Sequence, residues 1–198
     1  MSNTCPTLMA LPVFLFPLAY SPGPGNLFFA AQGARFGLRA TLSPMVGYHV
    51  ATFLATLAVG FGLDGLSAAS PGLFWAIRTA GAGYVFWLAI KLMRAGRIGD
   101  MSDARPAGFA DGVVLLVLNP KAFVIIVLML TQFPGDGSAA HLLAVSAIFT
   151  LNNLLAFAVW SAAGDMLVRR FRSESGAHRL NLFLGMVLAA VALWMLQA

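Results

Sequence analysis

The sequence predicts an all-α polytopic membrane protein, with six transmembrane helices arranged as two inverted three-helix repeats and with helices 1 and 4 interrupted. Three observations lead there: composition, the placement of basic residues, and two proline breaks. The chain of 198 residues is 60% hydrophobic and only 10% charged, with a mean hydropathy of +0.84. An ordinary globular domain carries about 25% charged residues. A soluble fold of this length lacks the interior to hide so much apolar surface.

The net charge of +5 comes from a shortage of acids (7) and not from an excess of bases (12), so no nucleic-acid partner is expected. The single cysteine, Cys5, excludes an internal disulfide and a cysteine-rich metal site. Neither a metal nor any other cofactor is expected. No basic residue precedes the first apolar run, which therefore reads as a retained span and not a cleaved signal.

Six apolar segments follow in order, at 8–32, 42–63, 72–93, 112–133, 141–164 and 180–197. Each approaches the ~20 residues that cross ~30 Å of hydrocarbon at ~1.5 Å per residue. The polar stretch Asp100–Arg105, with Pro106, divides the single domain 1–198 into half-repeats 1–99 and 100–198. Three spans per half make the halves run in opposite directions, which is the geometry of an inverted repeat.

Basic residues set the orientation. Arg35 and Arg39 follow span 1; Lys91, Arg94, Arg97 and Arg105 surround the loop after span 3; Arg169, Arg170, Arg172 and Arg179 surround the loop after span 5. These places hold ten of the twelve basic residues, while the alternate loops carry Asp64 and Asp136, with Arg78 the exception. The positive-inside rule then puts both termini outside a bacterial inner membrane.

Span 1 contains Ser21-Pro22-Gly23-Pro24-Gly25-Asn26, and span 4 contains Asn119-Pro120-Lys121. Proline lacks an N–H and clashes with the preceding turn, and glycine loosens the backbone, so neither run continues a regular helix. Asn119 to Lys121 lies eight to ten residues beyond Asp111, or ~12–15 Å deep if helical. Pro22 to Asn26 lies at a similar depth before Arg35. Paired interruptions in the first span of each half point to a solute site at the repeat interface. Simple kinking is the plainer alternative.

Lys121 is the one basic residue in the middle of a span. It can bind a carboxylate, neutralise a helix terminus or exchange a proton; snorkelling to the headgroups is the structural alternative. Asn26 and Asn119 can cap freed backbone groups. His49, with Tyr48 beside it, can relay a proton or merely bond across helices. Asn152 and Asn153 offer polar groups in span 5. Gly33 with Gly37, Gly60 with Gly62, and Gly81 with Gly83 allow close helix approach. Trp75, Trp87, Trp160 and Trp194 fit interfacial anchoring. His49, His141 and His178 are too scattered to form a catalytic set, so an enzyme is not expected.

The pattern resembles the LysE/RhtB family of amino-acid exporters. Ser21-Pro22-Gly23-Pro24-Gly25-Asn26 looks like the family's Thr-Pro-Gly-Pro-Asn/Asp segment. Gly33, Gly37 and Gly47 continue the match, then Phe109 and Gly112 lead to the Asn-Pro-Lys motif, and Gln132-Phe133-Pro134 ends the same helix. Ser21 stands where Thr is usual, Gly25 where Asn or Asp is frequent, His49 where many relatives carry a small or acidic residue, and Asn153 where Asp is common.

The resemblance implies secondary-active efflux of a small amino acid. Loss of acidic groups favours a neutral substrate over a basic one. Pro22, Gly23, Pro24, Gly25, Asn26, Asn119, Pro120, Lys121 and Asn153 are the expected substrate-binding residues, with His49 and Lys121 as coupling candidates. The ammonium of the substrate is expected to meet broken-helix carbonyls. No GxxxxGK[ST] loop is present, so the proton is the expected coupling ion. The other expected partner is the lipid bilayer, and a homodimer is compatible with such a chain. A basic amino-acid exporter, an importer or a small-solute channel are the alternatives.

Overall fold

The computed structural model describes residues 4–66, 105–133 and 138–170, with individual positions between 79 and 93 and between 182 and 193. Everything regular in it is helical. Helix α1 (Thr4–Tyr20) runs through Pro12 and Pro17 and stops at the first break. Helix α2 (Pro24–Phe36) resumes immediately after it. A 3-10 turn (Leu38–Thr41) leads into α3 (Leu42–Leu66). Helices α4 (Phe109–Val117) and α5 (Pro120–Gln132) form the second broken pair, bent by 64° at Leu118–Asn119. Helix α6 (Ala139–Arg170) is the longest of these, extending the expected span 141–164 at both ends.

Among the described residues, Leu38–Gly62 and Ala139–Leu167 are long and apolar enough to cross a membrane, and the bent α4–α5 pair makes a third such span. The expected spans 72–93 and 180–197, and the loop at 94–104, fall largely outside the described residues. The six-span count therefore does not come from this helix inventory.

Both breaks follow from local chemistry. Pro24 and Pro120 occupy first-turn positions of α2 and α5, where a missing N–H costs nothing and the fixed φ suits a helix. The first interruption is thus shorter than expected: Pro24, Gly25 and Asn26 are already helical, and the irregular stretch is Ser21–Gly23. Gly37 ends α2 at φ +81°, a left-handed conformation that disfavours side chains with a Cβ. Asp111 Oδ2 accepts the Gly108 N–H at 2.7 Å and so caps the start of α4.

Two crossings set the geometry around the breaks. Helices α2 and α6 meet where Gly33 faces the Ser161 carbonyl and Gly164 faces the Ala30 carbonyl. Helices α3 and α4 meet where Gly47 faces the Phe109 carbonyl and Gly112 faces the Pro44 carbonyl. A Cβ at any of the four would overlap the opposing backbone. Small residues bring membrane helices to this distance because lipid supplies no hydrophobic drive between them. Of the other glycines expected at close approaches, Gly60 packs on the Leu142 side chain, whereas Gly62 and Gly83 face open space.

The core splits into clusters along the helix axes. One surrounds the breaks and includes Phe28, Phe29, Met45, Tyr48, Leu115, Leu116 and Phe157. A second fills the end away from Arg35 and Asp111 with Leu11, Leu15, Val59, Ile126, Met129 and Phe149. Met9, Val13 and Phe16 point outward from α1, and Leu11, Leu15 and Ala19 inward, as a lipid-facing helix on a packed bundle requires.

Candidate functional site

The two breaks meet. Lys121, on the first turn of α5, reaches the break between α1 and α2, where its Nζ donates to the Ser21 carbonyl oxygen at 2.7 Å and to Ser21 Oγ at 3.0 Å. Its stem lies over Gly23, where a Cβ would sit 2.8 Å from Lys121 Cδ. Both Lys121 Nζ contacts lie within the bundle.

A helix that stops inside a packed bundle leaves its last carbonyls without intrahelical partners. Pro17 O accepts the Ser21 N–H at 3.2 Å, and each of the next four carbonyls has found a side chain. Leu18 O accepts from Ser21 Oγ (3.1 Å), Ala19 O from Asn26 Nδ2 (2.9 Å), Tyr20 O from Trp160 Nε1 (3.2 Å), and Ser21 O from Lys121. In this conformation protein donors hold all four. The anchoring assigned to Trp160 is corrected, because its indole N–H satisfies the break and not an interface. Trp87 is half exposed, and Trp75 and Trp194 lie outside the described residues.

Beside this junction lies a cavity of about 10 Å³, room for about one water. Asn26, Tyr48, Asn119, Lys121 and Asn153 supply its polar lining, and Leu18, Ile125, Phe149 and Phe157 much of the apolar part. Asn119 Nδ2 donates to Tyr48 Oη at 2.9 Å, while Asn119 Oδ1 is buried without a partner. The first turns of both α2 and α5 contribute to the lining, through Asn26 and through Lys121 with Ala122. Each helix N-terminus carries about +0.5 of an elementary charge, and Lys121 adds a full one. No carboxylate stands among the lining residues. Leu18 and Ala19, in the last turn of α1, line the cavity as well, so helix ends of both signs face it. Lys121 is the one charged side chain among the lining residues, and Asn119 Oδ1 is a buried acceptor left open.

Of the residues expected to bind a substrate, Asn26, Asn119, Lys121 and Asn153 are brought together here. Pro22 is exposed, and Gly23, Pro24, Gly25 and Pro120 shape the breaks without lining the cavity. His49 stands behind the lining, its ring 5.4 Å from those of Tyr48 and Phe157. Its Nδ1 is 2.7 Å from the Met45 carbonyl, which can only accept, so Nδ1 carries the proton. Its Nε2 is buried without a partner.

Sequence reasoning missed Ser21 as a partner of Lys121, and Tyr48 as part of the lining. A signal for Tyr48 existed: a tyrosine at membrane depth needs a partner for its hydroxyl. Among the described residues, no group of three or more His, Cys, Asp and Glu is placed to hold a metal ion.

The model of the LysE type translocator family matches residues 16–198, which takes in both breaks and every residue of the cavity. The chain belongs to the LysE type translocator family. It is a member of a transporter family and not of an enzyme family, and its helical, apolar architecture is that of a polytopic membrane protein. This LysE-type chain is 26% identical over 191 residues to the cysteine/O-acetylserine efflux protein of Escherichia coli (strain K12), covering 94% of this chain and 96% of the relative. It is 24% identical over 177 residues to the protein of the same name from Salmonella typhimurium, covering 88% and 89%. No solved structure matches the LysE-type chain.

Proposed function

We propose that this translocator exports a small neutral amino acid or derivative across the bacterial inner membrane, driven by the proton motive force. The observation that carries the reading is the convergence of two helix N-termini and Lys121 on one cavity without a carboxylate among its lining residues. Such a site attracts a carboxylate. Asn119 Oδ1, buried and unpartnered, is the acceptor for an ammonium. A lysine or arginine substrate would bring a second positive charge with nothing opposite it, which disfavours the basic-exporter alternative. The relatives' names make cysteine and O-acetylserine the first substrates to try.

The cavity is too small for an amino acid, so loading requires the walls to part. In the proposed cycle a substrate carboxylate takes Lys121 from Ser21, which frees the Ser21 carbonyl for the substrate's ammonium. The two three-helix halves, inverted in the membrane with both termini outside, then rock about this midplane site. His49 Nε2, buried and able to accept a proton, is the proposed coupling group, its ring packed against Tyr48 and Phe157 of the cavity lining.

Efflux from cells preloaded with a panel of labelled amino acids, including cysteine and O-acetylserine, tests the reading. Export of neutral members, abolished by collapsing the proton gradient and by Lys121→Ala at equal membrane abundance, is expected. A flat panel, or full export by Lys121→Ala, overturns it.

A further inference from the structure

We propose that Phe157, seated against Gly25, fixes the size of the substrate side chain that the site accepts. The assignment rests on the amino-acid reading of the cavity given above.

Phe157 is 2% exposed and lines the cavity. Its ring centroid lies 4.8 Å from that of Phe29, 4.8 Å from that of Tyr48 and 5.4 Å from that of His49. Against another part of its edge stands Gly25, where a Cβ would overlap Phe157 Cζ and lie 3.1 Å from Cε2. Neighbours on so many sides leave the ring little room to turn, since a close-packed interior does not yield by sliding. It is a fixed wall.

The polar groups of the cavity address the carboxylate and ammonium that all α-amino acids share. Discrimination must come from the apolar lining. Within it, Phe157 has its position dictated by a residue of the break itself: ring and glycine occupy one space between them. A Cβ at position 25 must push the ring, and the cavity is where open space remains. Removing the ring must enlarge the cavity, and must also make room for a side chain at position 25.

Initial rates of efflux for preloaded labelled alanine and leucine, at matched membrane abundance, test both halves of this argument. Phe157→Ala should raise the leucine-to-alanine rate ratio by about tenfold, the scale on which apolar pockets sort side chains. Gly25→Ala should depress both rates, and Gly25→Ala/Phe157→Ala should recover them. If Phe157→Ala does not accumulate, Phe157→Leu should move the ratio the same way by a smaller factor. An unchanged ratio, or a double variant as defective as Gly25→Ala, overturns the assignment. A parent chain that exports no member of the amino-acid panel overturns the underlying reading as well, which separates the two failures.

Discussion

Lys121 Nζ donates to the carbonyl oxygen of Ser21, one hundred residues earlier in the chain, at 2.7 Å. The bond joins the break between α4 and α5 to the break between α1 and α2, and places the cavity's charged group on a backbone acceptor. Lys121→Met should cut export at least tenfold, because it removes both the carboxylate partner and the tie between the breaks. Ser21→Ala should cost only a few-fold, since the carbonyl that holds Lys121 remains and the losses are the 3.0 Å contact to Oγ and the cap on the Leu18 carbonyl. Initial efflux rates normalised to membrane abundance measure both, and equal defects in the two variants would contradict this ranking.

Tyr48→Phe deletes the acceptor of Asn119 Nδ2 and leaves a buried amide unsatisfied. A loss of about 1–3 kcal/mol is expected, visible as a lower melting temperature in detergent. Asn26→Ala should cost a similar amount by uncovering the Ala19 carbonyl.

The four crossing glycines give the steepest expectation for stability. Gly33→Ala, Gly164→Ala, Gly47→Ala and Gly112→Ala each drive a methyl into a facing carbonyl, at a cost of about 1–3 kcal/mol or more. Gly62→Ala, in open space, should be close to neutral. Membrane abundance and melting temperature should separate the four from the fifth.

His49→Gln tests the coupling assignment. Its export should stop responding to an imposed proton gradient while exchange of labelled for unlabelled substrate persists. Loss of exchange together with export would make His49 a packing residue, in keeping with its place behind Tyr48 and Phe157.

The interruptions were legible in the sequence because proline and glycine act locally, and Lys121 stood out because a charge within an apolar run has no bland surroundings. The partners of these groups were not legible. Ser21 with Lys121, Trp160 with Tyr20 and Asn119 with Tyr48 span 100, 140 and 71 residues, distances set by packing and not by pattern. Glycine was readable only in part. Gly33 was singled out for close approach, and the family resemblance pointed to Gly47 and Gly112, but Gly164 has no nearby glycine to advertise it. Gly37 was read as a packing residue and instead terminates a helix at positive φ.

The capping of the α1 carbonyls bears on how the chain is made. Asn26 and Ser21 are at hand as soon as the first span is synthesised, but Lys121 and Trp160 are not. Until the segments carrying α5 and α6 are made, two carbonyls at the first break lack the partners they have in the folded chain. That break is completed by residues from the later half of the chain.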